Sequence, residues 1–208
     1  MKIFLKIKKI LRKIIIYPDK LILKNKAFSL ISRDCTGGVL LHEYGIRFNS
    51  PFINLYVRAN EFNVLCLNLE SFLKSELRYN LNESERMKFP VGYLSFQDRF
   101  VNIYFNHHNT FDDAKKDWER RLNRIRFDNI FVLTTNFDRD YDDEMLREFN
   151  KIKYPHVLLT DVDLNTDNCF YVKKNPGLHF WNFTGKFSLR KSYDIIKFRK
   201  WIITNYRK

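Results

Sequence analysis

Ala27-Phe28-Ser29-Leu30-Ile31-Ser32-Arg33-Asp34-Cys35-Thr36-Gly37-Gly38-Val39-Leu40-Leu41-His42-Glu43-Tyr44-Gly45 (27–45) is the stretch whose reading decides the fold. Residues 27–32 make an apolar run of strand length, and 38–44 read as a short helix closed by Gly45. A buried strand feeding a helix through a glycine-bearing turn is half of an α/β unit.

The rest of the chain continues the alternation. Residues 53–57 read as a strand, and 61–77 as a helix with Phe62, Leu65, Leu69, Phe72 and Leu73 on one face. Residues 91–95 and 100–105 read as strands. Thr110 then opens a helix as N-cap, with Asp113 three residues on as in a capping box, and Phe111, Ala114, Trp118, Leu122 and Ile125 as its stripe. A strand at 129–134, a helix at 142–149, a strand at 156–160 and an edge strand at 170–172 follow. From Ser188 onward a C-terminal helix carries Leu189, Tyr193, Ile196 and Trp201. The expected class is α/β: a single layered domain over 27–208 with a mixed, partly parallel sheet flanked by helices, preceded by a basic amphipathic helix over 1–26.

Charge is distributed unevenly. The 208 residues carry 37 Lys+Arg against 24 Asp+Glu, a formal net charge of +13, and the pI is near 9.6. Residues 1–26 hold nine basic residues and one acid, and 190–208 hold seven and one, while 27–189 is close to neutral. The excess is therefore terminal, and the body is not basic overall, which argues against nucleic acid; helix-turn-helix, zinc-finger and RNP-type signatures are absent as well. Within 1–17, Ile3, Ile7, Ile10 and Ile14 share one stripe and Lys2, Lys6, Lys9 and Lys13 the other side, with Pro18 expected to end the helix. Such a helix suits an anionic membrane surface, or alternatively packs its apolar face on its own domain with the lysines solvated. It has no uninterrupted apolar core for a signal peptide, and falls short of the about 20 apolar residues that span a bilayer. The cysteines Cys35, Cys66 and Cys169 form no CxxC pair, which argues for a reducing, cytoplasmic setting, peripheral on the inner face of the membrane.

In α/β folds, ligands gather beyond the carboxyl ends of strands. After the first strand comes Cys35, a candidate nucleophile at a helix start, with Gly37 and Gly38 as candidate substrate-binding positions and oxyanion donors. Asp34 beside it opposes thiolate formation. After 100–105 come His107 and His108, candidate bases; strand alternation sends them to opposite sides, so one at most reaches a given cleft unless the strand has already ended. After 129–134 come Asn136, Asp138 and Arg139, candidate substrate-binding residues, as is Ser50 in the loop at 45–52. Asp161 and Asp163 have the short acidic spacing that can hold a divalent metal against a sugar nucleotide. Arg120, Arg121 and Arg124 share their helix with Asp112, Asp113, Asp117 and Glu119, and intrahelical ion pairs account for them. His42, His156 and His179 show no metal-ligand spacing with the His107-His108 pair.

The ordered set Leu30-Ile31-Ser32-Arg33-Asp34-Cys35-Thr36-Gly37-Gly38, Phe48-Asn49-Ser50-Pro51-Phe52-Ile53-Asn54-Leu55, Phe105-Asn106-His107-His108, Trp118-Glu119-Arg120-Arg121-Leu122-Asn123-Arg124-Ile125 and Phe127-Asp128-Asn129 resembles a bacterial exopolysaccharide and capsular polysaccharide biosynthesis family of undefined activity. The resembling pattern has Asn before the cysteine, where this chain has Asp34. The resemblance implies a single α/β domain and a role in building cell-surface polysaccharide. Three readings follow. The first is a transferase moving an acyl group from an acyl-CoA donor to a carbohydrate or lipid-linked sugar, with Cys35 as nucleophile and His107 or His108 as base. The second is a metal-dependent glycosyltransferase using Asp161 and Asp163. The third is a non-catalytic accessory of the polysaccharide machinery at the membrane.

Overall fold

Two sheets carry the fold in the computed structural model, which describes residues 2–164, 166, 168–173 and 192–207. The first is parallel and built from β1 (Ser29–Ser32), β5 (Ile130–Asn136), β6 (His156–Thr160) and β7 (Cys169–Tyr171), in the order β1-β5-β6-β7. The second is antiparallel, β2 (Arg78–Tyr79), β3 (Val91–Phe96) and β4 (Arg99–Tyr104), in that order. β1, β5 and β6 are buried along their whole length, as parallel strands covered on both faces must be.

Alternation sorts their side chains into two cores. Ile31, Ile130, Val132 and Leu158 face one side. There they pack with Phe62 and Leu65 of α3 (Ala59–Leu67), Phe72 of α4 (Leu69–Lys74), Trp118 of α6 (Phe111–Leu122), Phe149 of α7 (Asp143–Phe149), and the antiparallel sheet. Leu30, Phe131, Leu133, Val157 and Leu159 face the other. They meet Leu40 and Leu41 of α2 (Cys35–Glu43), Ile16 and Leu23 of α1 (Lys2–Lys24), and Phe198 and Ile202 of α8 (Phe198–Asn205). The expected α/β layering is the observed one.

Several boundaries differ from the sequence expectation. Helix α1 does not stop at Pro18 but runs to Lys24, although an interior proline removes a hydrogen bond and costs about 3 kcal/mol or more. Burial of Ile16 and Leu23 on either side of the proline offsets that cost. Residues 53–57 are not a strand: Asn54 is left-handed (φ 59°), and pairing reduces to one bridge between Tyr56 and Tyr104. The 61–77 helix is broken at Asn68, whose backbone leaves the helical region (φ −127°, ψ 32°), yet all five stripe residues are buried. A short polar helix, α5 (Leu81–Met87), capped by Asn80 accepting from the Glu83 N–H, escaped the apolar-pattern reading. At the C-terminus a 3-10 turn, Ser192–Ile196, and a left-handed Lys197 precede α8; residues 188–191 of the expected helix, and His179, lie outside the described residues.

A two-residue link, Tyr56-Val57, joins the two sheets and positions the site. Val57 N–H donates to the Arg33 carbonyl (2.9 Å), and Tyr56 exchanges both backbone bonds with Tyr104 (3.0 Å each). The end of β1 is thereby set beside the end of β4.

Candidate functional site

Helix α2 begins earlier than expected, at Cys35, because Asp34 is its N-cap. Asp34 Oδ1 accepts from the Thr36 N–H (2.8 Å), and its Oδ2 accepts from Thr135 Oγ1 on β5 (2.5 Å). Cys35 thus stands in the first turn, half-buried, clamped to the parallel sheet by the side chain before it. Gly45, at φ 60°, closes the other end as expected: its N–H reaches the His42 carbonyl and Ile46 N–H the Leu41 carbonyl.

His107 lies in the turn after β4, and its Nε2 is 3.4 Å from Cys35 Sγ. Burial, and then the charge of Asp34, push the Cys35 thiol up to about 11. At neutral pH the group is therefore a thiol. With the imidazole proton on Nδ1, its S–H donates to the Nε2 lone pair. This is the geometry of a nucleophile whose proton leaves to a neighbouring base during attack, rather than of a resting thiolate. β4 ends at Tyr104, so strand alternation does not set these two side chains, yet His108 turns away from Cys35. Its ring meets Phe105 edge-on and its Nε2 is 3.4 Å from Asp117 Oδ2, so it does not serve Cys35.

Gly37, Gly38, Ser50 and Asn136 are taken up by packing and internal hydrogen bonds, whereas Asp138 and Arg139 are open to solvent. The Gly37 N–H donates to Ser32 Oγ (3.1 Å), and a Cβ on Gly37 would stand 2.5 Å from Ser32 Cβ; the glycine lets α2 lie on β1 and has no donor left for an oxyanion. Gly38 is buried against Ile53. Ser50 is fully buried and donates to the Leu30 carbonyl (2.6 Å), so no substrate reaches it. Asn136 is buried, and its Oδ1 accepts from the Tyr141 N–H (3.1 Å), shaping the loop that carries Asp138 and Arg139. Those two are exposed at the carboxyl edge of the sheet. Arg139 is left-handed (φ 56°) and reaches Asp161 at 3.6 Å. Asp163 is exposed, and among the described residues no three His, Cys, Asp or Glu side chains cluster as a metal site.

Sequence reasoning passed over Arg33. It is buried at the end of β1, paired with Asp140 and set over the Tyr141 ring at 5.7 Å. A charged residue directly after a strand read as buried was the available signal, since such a group is buried only when paired. It ties the Cys35 turn to the 136–141 loop.

The arginine-rich segment of α6 packs on the 48–53 loop. Phe52 and Trp118 meet edge-on at 5.3 Å, Arg121 donates to the Ile53 carbonyl (3.1 Å) and to Asp117 (2.6 Å), and Arg124 donates to the Phe48 carbonyl (3.1 Å). Asn49 in turn receives the Leu30 N–H on β1 (3.1 Å). Three of the quoted motifs are thus one scaffold that holds the β1 turn in place.

A family model described as "Domain of unknown function (DUF1919)" matches residues 6–202. A Haemophilus influenzae (strain ATCC 51907 / DSM 11121 / KW20 / Rd) protein, named "Uncharacterized protein", is 28% identical over 186 residues, covering 86% of this chain and 85% of the relative.

Proposed function

We propose the following for this chain, which belongs to the DUF1919 domain family: it is a transferase that moves an acyl group from an acyl-CoA to a sugar hydroxyl in bacterial surface polysaccharide biosynthesis. The observation that carries the reading is the Cys35 Sγ to His107 Nε2 approach at 3.4 Å, a nucleophile beside a base at the carboxyl edge of a parallel sheet. The polysaccharide setting comes from the resemblance of the quoted motifs.

In the first half-reaction His107 Nε2 takes the Cys35 proton as sulfur attacks the acyl carbonyl. The CoA thiolate leaves with that proton, and the acyl group remains on Cys35 as a thioester. In the second, His107 takes the proton of an acceptor hydroxyl, from a carbohydrate or a lipid-linked sugar. The oxygen attacks the thioester and the Cys35 sulfur recovers the proton. Concerted proton transfer suits a thiol whose resting ionisation is suppressed. Exposed Asp138 and Arg139 stand at the same sheet edge, where a polar acceptor would be handled.

Mass spectrometry of surface polysaccharide from a strain lacking the protein tests this. An acyl decoration is lost, restored by the wild-type chain and not by Cys35→Ala or His107→Ala. A missing sugar, or an unchanged polymer, overturns the reading.

A further inference from the structure

Helix α1 is docked with its apolar stripe outward. Its attachment to the domain is made by Ile16 and Leu23 and by Arg12, which is only 8% exposed. Arg12 donates to both carboxylate oxygens of Glu43 at the end of α2 (2.9 and 3.1 Å). It also donates to both of Asp194 in the 3-10 turn (2.7 and 2.6 Å). A guanidinium held by two carboxylates fixes the rotation of the helix about its axis. That rotation leaves Ile7, Ile10, Ile14, Tyr17 and Leu21, which recur at helical spacing, in solvent; Ile14 is 63% exposed. A soluble helix ordinarily turns such a stripe to its core and its charge to water. Here the arginine goes inward and the isoleucines outward.

The borders of the stripe are cationic. Lys13 and Lys24 are exposed along one side of it by helical spacing, with Lys20 beside them. At the other side α8 runs next to α1, where Asp19 pairs with Arg199 (3.2 Å), and a groove of about 600 Å³ is lined by Ile15, Lys197, Arg199 and Lys200. The basic surpluses of the two chain ends thus meet around one apolar face. Among the described residues no helix is long and apolar enough to cross a membrane.

We infer that α1 is a monotopic membrane anchor, seating its Ile7–Ile10–Ile14–Tyr17–Leu21 face in the interface of an anionic phospholipid bilayer with the lysines of α1 and α8 on the headgroups. Apolar insertion and headgroup attraction together give the binding strength of such a helix. Helix α2, nine residues and about 13 Å long, then stands between the anchor at Glu43 and Cys35 at its far end.

The test is co-sedimentation of the full chain with vesicles of phosphatidylcholine alone and of phosphatidylcholine with phosphatidylglycerol. The wild-type protein sediments with the anionic vesicles and releases as salt rises. Ile10→Asp with Ile14→Asp, both solvent-facing, weakens this at least about tenfold with an unchanged thermal unfolding midpoint. Lys13→Glu with Lys24→Glu weakens it several-fold and flattens the salt dependence. Absence of sedimentation overturns the inference, as does binding indifferent to the isoleucine pair. A dimer that the isoleucine changes dissociate, with no vesicle binding, overturns it in favour of a second copy on the stripe.

Discussion

Cys35 Sγ and His107 Nε2 stand 3.4 Å apart although 72 residues separate them, and the thiol of this pair is held protonated at neutral pH. The contact exists because Val57 bonds to Arg33 and Tyr56 to Tyr104, bringing the turn after β1 and the turn after β4 together.

Cys35 alkylation by iodoacetamide, followed peptide by peptide, reports its ionisation. A thiol pushed up to about 11 reacts about tenfold faster per pH unit through the neutral and mildly alkaline range. Burial is the larger cause and survives mutation, whereas the charge of Asp34 does not. Asp34→Asn keeps an oxygen for the Thr36 N–H, so the helix cap persists and the rate at pH 8 rises several-fold. An unchanged rate would remove Asp34 from the electrostatics of the site.

Gly37 and Gly38 should respond differently to alanine. At Gly37 the new methyl meets Ser32 Cβ at 2.5 Å, an atom fixed to the strand backbone, and the loss is about 1–3 kcal/mol by urea unfolding. At Gly38 the nearest atom is Ile53 Cγ2 at 3.4 Å, and alanine's gain in helix propensity of about 1 kcal/mol offsets the crowding. Equal losses at both positions would contradict the packing described.

Acid stability carries a signature of Glu83. Its hydrogen bond from Arg86 is the main cause holding its carboxyl at about 2, against an ordinary value of 4.5; Tyr104 donates to it as well. Because the folded value is depressed, this stabilisation is present above pH 4.5 and is lost as pH falls towards 2. The urea midpoint of the wild-type protein should drop across that window more than that of Glu83→Gln, which starts lower at neutral pH. Parallel curves would rule Glu83 out as a source of the acid lability.

Much of this was legible in local sequence. β5 and β6 each carry an apolar run, residues 130–133 and 157–159, and Thr110 caps α6 as expected by accepting from the Asp113 N–H, although the Asp113 carboxylate takes the Thr110 hydroxyl instead of its backbone N–H. Cys35 and His107 were nameable as strand-end residues. Their meeting was not, since it depends on the two-residue link at Tyr56 and Val57 inside a segment that looked like an ordinary strand. Ser50 read as a polar loop residue because nothing nearby in sequence reveals that the Leu30 carbonyl needs a donor. The outward turn of α1 was likewise hidden. The sequence shows two faces, but only the partners Glu43 and Asp194, 31 and 182 residues from Arg12, decide which one meets the domain.

The central claim is that Cys35 and His107 form a working nucleophile–base pair. Its most direct test is mass spectrometry of the full chain, acid-quenched after incubation with acetyl-CoA and longer acyl-CoAs. An acyl adduct forms on the Cys35 peptide, is absent in Cys35→Ala and forms at least about 100-fold more slowly in His107→Ala. His108→Ala should leave the rate unchanged. A chain that acquires no acyl group at Cys35, or acquires it at a rate indifferent to His107, would show that the two residues are not such a pair.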